Sequence, residues 1–310
     1  MTFSMEHEMN CCFIFSGQGS HRPGMGINLY RNSPTAKSKI DLADSLLGYK
    51  ISEIMFDDNE PVLKKTINAQ VAIYIHSCIL FDIIKDSKYN PVAVAGHSLG
   101  EFSALYANGT YSFEDGLEIV KTRAEAMHKC EISNKGKMSA VMGLSKEIIS
   151  KVCNNSDTQV ANINSDQQIV ISGSDISIEK ISNKLKSLGA KRIIPLNVSG
   201  AFHSKLMSEA KSKLRDIIAE KIFQTPHCPI VSNYDAKDRT NTDEIKHALI
   251  EQIDNTVLWL ASVKQLGNIN NNFVEIGPKK VLAGLIKKIN ESFHISSFNS
   301  YNDTKELLNV

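Results

Sequence analysis

The stretch PVAVAGHSLGEFSALYANG, residues 91–109, joins a strand, a sharp turn and a helix in direct succession. Its first residues are small or β-branched, which is typical of a buried strand in a parallel sheet. The letters GHSLG at 96–100 form a G-x-S-x-G turn, and Gly109 ends the helix that follows. This order predicts a nucleophile elbow, a turn that holds Ser98 at the N-terminus of a helix.

A serine at such an elbow is a candidate nucleophile, because the free amides and the dipole of the helix favour a developing negative charge. The backbone amide of Leu99 is the expected first donor of an oxyanion hole. A serine hydroxyl also needs a base. Among the nine histidines the sequence favours His203, in the segment SGAFHS before a new helix. His97 is adjacent to Ser98, so its side chain is expected to point away from the elbow. The alternatives are an ordinary glycine-rich turn at 96–100 and a surface histidine at 203.

Strands and helices alternate over most of the chain, which indicates an α/β protein with a parallel sheet. The segment 131–197 differs, because its order is β-α-β-β-α-β, the pattern of ferredoxin-like folds. The α/β alternation resumes after this segment, with a helix from Ser204, the predicted strand PIVSNYDA (229–236), two further helices, the predicted strand NFVEIG (272–277) and a helix from Lys279. We therefore predict a large α/β domain formed by residues 1–130 and 198–310, with a small ferredoxin-like domain inserted at 131–197.

The composition is that of a globular protein with no electrostatic preference for nucleic acid. Apolar residues make up 42%, and 35 basic against 34 acidic side chains give a net charge of +1. The six cysteines form no C-x-x-C pair and complete no zinc spacing, so we expect reduced thiols and no metal. The N-terminus lacks the basic region of a secretory signal, and the apolar run 71–81 is too short to span a bilayer. We expect a cytoplasmic protein without a nucleic-acid or membrane partner.

Two further features of the sequence are candidates for function. The turn SGQGS at 16–20 follows the first predicted strand and is not a P-loop, because no G-K-[ST] follows. Its amides would either complete the oxyanion hole or form a plain turn. Arg123 lies on the apolar stripe of a helix that begins at Ser112, between Val120 and Met127. Because a buried charge needs a partner, Arg123 is either part of a structural ion pair or a fork for a substrate carboxylate.

Taken in order, these motifs resemble the malonyl-CoA:acyl-carrier-protein transacylases and the wider acyltransferase family of fatty-acid and polyketide synthases. The resemblance covers nearly the whole chain. It rests on SGQGSHRPGMG (16–26), GHSLGEFSAL (96–105), KTRAEAM around Arg123, VANINSDQQIVISG (160–173), SGAFHSKLM (199–207), PIVSN (229–233), EQIDNTVLW (251–259) and EIGP (275–278). The fold that it implies is an α/β-hydrolase-like large domain with the inserted ferredoxin-like small domain.

The resemblance also implies roles for individual residues. Ser98 would be the acylated nucleophile, and His203 its base, held by backbone carbonyls instead of an aspartate. The amides of Gln18 and Leu99 would form the oxyanion hole.

The remaining residues would bind the substrate. By resemblance, Arg123 would bind the free carboxylate of a malonyl group, with Gln252 near the Ser–His pair and Asn162 lining the cleft from the small domain. Phe202 fits malonyl-selective members, because methylmalonyl-selective relatives tend to have a small residue there.

The sequence departs from the family pattern close to the predicted site. The departures are His21, the segment NAQVAIY at 68–74 and Thr256.

The activity implied is ping-pong transfer of a malonyl group from malonyl-CoA to the phosphopantetheine thiol of an acyl carrier protein. CoA is then part of a substrate, the phosphopantetheine belongs to the partner, and the enzyme needs no cofactor of its own. We expect a monomer. The alternatives are a serine acyl hydrolase (an editing thioesterase) of a synthase and a silent subunit that only binds the carrier protein. The sequence leaves open whether the pathway makes fatty acids or polyketides.

Overall fold

A computed structural model of the chain describes residues 8–154 and 156–307, without the side chain of Glu306. Its strands are β1 (Met9–Phe15), β2 (Tyr89–Gly96), β3 (Gly136–Met142), β4 (Gln159–Ser165), β5 (Gln168–Ser174), β6 (Arg192–Pro195), β7 (Ile230–Val231), β8 (Asp238–Arg239), β9 (Asn272–Ile276) and β10 (His294–Phe298). Its α-helices are α1 (Ile27–Asn32), α2 (Pro34–Leu47), α3 (Ile51–Phe56), α4 (Glu60–Leu63), α5 (Thr66–Ile84), α6 (Gly100–Ala107), α7 (Phe113–Ser133), α8 (Lys146–Cys153), α9 (Asp175–Ser187), α10 (Ser208–Glu220), α11 (Thr242–Glu251), α12 (Trp259–Ile269), α13 (Leu282–Ile289) and α14 (Tyr301–Thr304).

Six strands form a sheet in the order β10-β9-β1-β2-β7-β8. All neighbouring strands in it run parallel except β8, which pairs antiparallel with β7. The predicted strand PVAVAG lies within β2, whose carboxyl end leads directly into the elbow. In a parallel sheet this end is where ligands bind.

The central strand β1 contributes alternate residues to two separate hydrophobic cores. Cys11, Phe13 and Phe15 face the core that contains α5 and α7. Cys12 and Ile14 face the other core, which contains α12. Because successive side chains of a strand point to opposite faces, this alternation places helices on both sides of the sheet.

The helix α5 is longer than the apolar run in the sequence suggests. It has 19 residues and a mean hydropathy of 1.6, so by length and composition alone it could cross a membrane. However, 83% of the most apolar 18-residue stretch of this helix is buried inside the protein, as in the core helix of a globular domain. The apolar run 71–81 lies inside this helix, which extends beyond the run at both ends.

The four strands β3 to β6 form a second sheet, in the order β4-β5-β3-β6 with every pair antiparallel. The helices α8 and α9 pack on it around their own hydrophobic core. This is the ferredoxin-like arrangement predicted from the β-α-β-β-α-β order. All four strands lie between residues 136 and 195, and the domain limits at 131 and 197 stay a prediction.

Two parts of the large sheet differ from the sequence interpretation. The segment PIVSNYDA was expected to be a full strand, but only Ile230–Val231 pair with β2 and β8. The chain leaves the ladder because the backbone amide of Asn233 donates to the Glu101 carboxylate and its carbonyl accepts from Leu258. The strand β10 was not predicted, because HISSF is a half-exposed edge strand with little apolar pattern.

Candidate active site

The elbow between β2 and α6 holds Ser98 in a left-handed backbone conformation, with φ of 52°. Such a conformation costs a non-glycine residue about 1–3 kcal/mol and is common at functional sites. Its flanking glycines are required by close packing. A Cβ at Gly96 would lie 1.9 Å from the carbonyl carbon of Gly100, and one at Gly100 would lie 2.0 Å from the carbonyl oxygen of Phe15. The GHSLG spacing thus follows from how tightly α6 crosses the ends of β1 and β2.

The elbow serine and His203 form a hydrogen-bonded pair. Ser98 Oγ lies 2.7 Å from His203 Nε2, and His203 Nδ1 lies 2.9 Å from the backbone oxygen of Gln252. Since Nδ1–H donates to that carbonyl, Nε2 is left to accept the proton of the serine. Among the described residues, no carboxylate is hydrogen-bonded to the ring. The backbone of His203 is also left-handed, with φ of 55°.

The environment of His203 keeps its ring neutral. Burial and, to a lesser extent, the nearby charge of Arg123 together lower the pKa of His203 to about 3, whereas the hydrogen bond to the Gln252 carbonyl acts in the opposite direction. A neutral imidazole at physiological pH is the form that can accept a proton.

Arg123 reaches the same serine from beneath. It is 1% exposed, and its Nη2 lies 3.1 Å from both Ser98 Oγ and the side-chain oxygen of Gln252. Its Nη1 donates to the side-chain oxygen of Gln70, and the guanidinium lies 5.1 Å from the centre of the Phe102 ring. Although burial lowers the pKa of Arg123 to about 10, the group stays charged at neutral pH.

The partners of Arg123 bear on the two interpretations of this residue. All of its hydrogen-bond acceptors in residues 8–154 and 156–307 are uncharged, and the Glu101 carboxylate attracts it electrostatically without hydrogen-bonding to it. A buried guanidinium whose hydrogen bonds reach no anion favours an anion that arrives with a ligand.

The residues beneath the elbow form a continuous hydrogen-bond network. The side-chain nitrogen of Gln252 donates to the backbone oxygen of Ser98 at 3.0 Å and to Glu101 Oε2 at 2.8 Å. Asn233 Oδ1 accepts from the amide of Ser98 at 2.7 Å, while Asn233 Nδ2 donates to the carbonyl of Gly96 at 2.7 Å. The serine is therefore fixed through its backbone on two sides.

The sequence interpretation assigned no role to Glu101 or Asn233. Burial raises the pKa of Glu101 to about 7, against the opposing effects of its hydrogen bonds from Gln252 and Asn233. For Glu101 the sequence signal was a single charged residue in the otherwise apolar helix GEFSALYA. For Asn233 the sequence signal was a polar amide within the predicted strand PIVSNYDA.

A cavity of about 380 Å³ opens above Ser98, between the large sheet and the antiparallel sheet. Five of the eight predicted site residues line it, namely Gln18, Ser98, Asn162, Phe202 and His203. The other three lie behind its wall and are at most 1% exposed, namely Leu99, Arg123 and Gln252. The rest of the lining is largely apolar and includes Met127, Met138, Val170, Leu196, Val198 and Leu282.

The SGQGS turn packs directly against the elbow. A Cβ at Gly17 would lie 2.1 Å from the carbonyl oxygen of His97 and 3.6 Å from the amide nitrogen of Leu99. The amides of Gln18 and Leu99 donate no hydrogen bond within the described part of the chain. Two free amides beside Ser98 are what an oxyanion hole requires.

His97 lines the cavity as well, which the sequence interpretation did not anticipate, because it expected the ring to point away from the elbow. Its Nε2 lies 2.9 Å from Asn164 Oδ1, and its ring packs edge-on against Trp259 at 5.4 Å. At the departure Thr256, the hydroxyl donates to the carbonyl of Val160 at 2.7 Å, so this residue ties the segment before α12 to β4.

A parallel-rich sheet with a Ser–His pair at its elbow, joined to a separate antiparallel sheet, defines the acyl transferase class. The chain belongs to the acyl transferase domain family, which matches residues 12–302.

Within that family, the chain is similar to enzymes named malonyl CoA-acyl carrier protein transacylase. It is 40% identical over 284 residues to the one from Bacillus subtilis (strain 168), covering 90% of each chain. It is 39% identical over 298 residues to that of Staphylococcus aureus (strain MRSA252), covering 94% of this chain and 96% of the relative.

Solved structures confirm the predicted fold class. The malonyl-CoA:ACP transacylase of Synechocystis sp. PCC 6803 has a TM-score of 0.89 at 35% identity, covering 96% of this chain and 100% of that one. The transacylase of Streptococcus pneumoniae has a TM-score of 0.91 at 35% identity, covering 97% of this chain and 99% of that one. A malonyl-transacylase solved in complex with its type II polyketide acyl-carrier protein has a TM-score of 0.91 at 31% identity, covering 97% and 100%.

Proposed function

We propose that the protein transfers a malonyl group from malonyl-CoA to the phosphopantetheine thiol of an acyl carrier protein, through a malonyl ester on Ser98. One observation carries the proposal. The hydroxyl oxygen of Ser98 lies within hydrogen-bond distance of both a neutral imidazole, His203, and a buried cation, Arg123, whose hydrogen bonds reach no carboxylate in the described part of the chain. The names of the relatives support this choice of acyl group and acceptor.

In the first half-reaction Ser98 attacks the thioester carbonyl of malonyl-CoA. The hydroxyl proton passes to His203 Nε2 as the bond from Ser98 Oγ to the carbonyl carbon forms. The negative charge on the carbonyl oxygen is received by the amides of Gln18 and Leu99, and one such donor is typically worth about 10²–10³ in rate. The C–S bond then breaks, and His203 returns the proton to the sulfur, so that CoA leaves as a thiol.

In the second half-reaction the carrier's thiol attacks the malonyl ester. His203 takes the thiol proton, the sulfur bonds to the carbonyl carbon and the same two amides bind the oxyanion. The bond to Ser98 Oγ breaks, and the serine recovers its proton from His203. The chemistry is acyl exchange between an oxygen and a sulfur, so the enzyme needs neither a redox cofactor nor a metal of its own.

Selectivity for malonyl comes from Arg123. A malonyl group on Ser98 carries its free carboxylate close to the ester, where the guanidinium can bind it with two hydrogen bonds. Pairing with that carboxylate also neutralises the charge that lowers the pKa of His203. The base therefore becomes stronger when the acid-bearing substrate is bound. Asn162 and Phe202 define the shape of the cavity around the acyl group.

The cellular setting is part of the same proposal. We propose a monomer that works in the cytoplasm, in fatty-acid or polyketide synthesis, with an acyl carrier protein as partner. The charge balance of the chain supports the absence of a nucleic-acid partner. The large domain of 1–130 and 198–310 would carry the nucleophile, and the small domain of 131–197 would close the cavity from above.

Intact-protein mass spectrometry tests the proposal. Wild type and Ser98→Ala are each incubated with malonyl-CoA and then with a phosphopantetheinylated carrier protein. We expect a malonyl adduct on wild type alone, which then moves to the carrier. Free malonate with a bare carrier would support the alternative, a serine acyl hydrolase. An adduct on the Ser98→Ala variant would refute Ser98 as the nucleophile.

A further inference from the structure

The carboxylate of Glu101 lies beneath the Ser–His pair without touching either residue. It is the second residue of α6 and is 2% exposed. Glu101 Oε2 accepts from the side-chain nitrogen of Gln252 at 2.8 Å and from the backbone amide of Asn233 at 3.1 Å. Burying a carboxylate is costly, and an apolar side chain would suit the rest of this helix. The burial of this carboxylate is therefore best explained by the two donors that it holds in place.

Gln252 connects Glu101 to both reacting side chains. Its backbone oxygen accepts from His203 Nδ1, and its side-chain oxygen accepts from Arg123 Nη2. Its side-chain nitrogen donates to Glu101 and to the backbone oxygen of Ser98. One residue thus sets the direction of the base and of the cation.

The orientation of the Gln252 amide decides whether this arrangement holds. An amide has a donor end and an acceptor end, and a guanidinium only donates. If the amide were reversed, its NH₂ group would face the N–H groups of Arg123. Glu101 Oε2 already accepts from the backbone amide of Asn233, so it also meets Gln252 as an acceptor and selects the orientation in which the amide oxygen faces Arg123.

We propose that Glu101 is a positioning residue that acts through Gln252. It fixes the amide that holds Arg123, and through the same residue it steadies the carbonyl that orients His203. This inference rests on the proposed function, because it assigns Arg123 to the malonyl carboxylate. In a Ser-His-Asp triad the acid contacts the imidazole directly. Here the acid lies one residue away and supports the cation as well as the base.

The test compares two variants of similar size. Glu101→Met removes the acceptor while filling nearly the same volume, whereas Glu101→Gln keeps an oxygen that can accept from Gln252. The readouts are kcat/KM for Ser98 acylation by malonyl-CoA and by acetyl-CoA, and their ratio. The ratio separates positioning from stability, because a partly unfolded sample lowers both rates equally.

We expect E101M to lower kcat/KM for malonyl-CoA by on the order of 10²-fold, as for other small displacements of reacting groups. The loss should fall mainly on kcat, and the preference for malonyl over acetyl should fall at least about tenfold. E101Q should keep both quantities within about fivefold of wild type. Equal losses in the two variants, or an unchanged preference in E101M, would overturn the proposal.

A double-mutant cycle with Gln252→Ala tests whether Glu101 acts through Gln252. If it does, E101M adds less than about threefold to the loss already present in the Q252A variant. Additive losses would overturn the inference. If E101M does not fold, Gln252→Met takes its place, since it keeps the backbone carbonyl but lacks the amide, and an unchanged malonyl preference would again overturn the inference. Wild type that forms no malonyl adduct in this assay would refute the proposed function instead.

Discussion

Replacing Arg123 with alanine should abolish the preference for malonyl over acetyl groups. Two unit charges about 4 Å apart attract by about 4 kcal/mol at an effective dielectric constant of 20. Since Arg123 is 1% exposed, solvent screens this attraction little. At about 1.4 kcal/mol per tenfold change, the charge is worth roughly three orders of magnitude in rate.

We therefore expect the ratio of kcat/KM for malonyl-CoA to kcat/KM for acetyl-CoA to be about 10²–10³-fold lower in the R123A variant than in wild type. Acetyl transfer loses no ion pair, because an acetyl group has no carboxylate. Loss of the hydrogen bond from Arg123 to Ser98 Oγ affects both substrates alike.

The assay measures CoA release and the acyl adduct on Ser98 with each thioester, alone and in competition. Arg123→Lys is the matched control. It keeps the charge but not the planar fork, so its preference should lie between those of R123A and wild type. A malonyl preference in R123A within tenfold of wild type would refute the assignment of Arg123 to the carboxylate.

Three further predictions follow from cavity shape, packing and burial. Phe202→Ala should raise the ratio of methylmalonyl to malonyl transfer, measured by mass spectrometry of the carrier, by about tenfold or more, since a methyl group is worth about 1–3 kcal/mol. Gly100→Ala should prevent folding, because its Cβ would lie 2.0 Å from the Phe15 carbonyl oxygen, whereas Gly284→Ala, with no atom within 4 Å, should raise Tm. Burial lowers the pKa of His76 to about 3, so the unfolded chain binds a proton below pH 6.5 that the folded chain does not. The free energy of unfolding of wild type should therefore fall by about 2 kcal/mol relative to that of the His76→Leu variant when the pH is lowered from about 7 to about 5. Urea unfolding at the two pH values measures this difference, and a difference that does not change with pH would contradict the prediction.

The sequence predicts the parts of the fold whose signals are local. The elbow follows from a strand, a G-x-S-x-G turn and a helix that are contiguous, and the ferredoxin-like sheet follows from an element order within 131–197. The cap of α7 is equally local, since the Ser112 side chain accepts from the amide of Asp115. Each of these depends on residues close together in the chain.

The parts that were missed depend on contacts between distant residues. Glu101 and Gln252 are 151 residues apart, and Ser98 and Asn233 are 135 apart. No local pattern records such a pairing, so the network beneath the elbow became visible only in the fold. The length of β7 was overestimated for the same reason, because Asn233 leaves the sheet to bind groups at the elbow.

The backbone of both members of the Ser–His pair is left-handed, with φ of 52° at Ser98 and 55° at His203. Glycine adopts this conformation without penalty, so the fold alone would be better served by glycine at either position. The backbone conformation itself gives serine and histidine no advantage over glycine there. A duplicated copy of this gene that lost its substrate would therefore drift toward glycine at 98 and 203, and glycine at these positions in a relative would mark a protein that keeps the fold after giving up the chemistry.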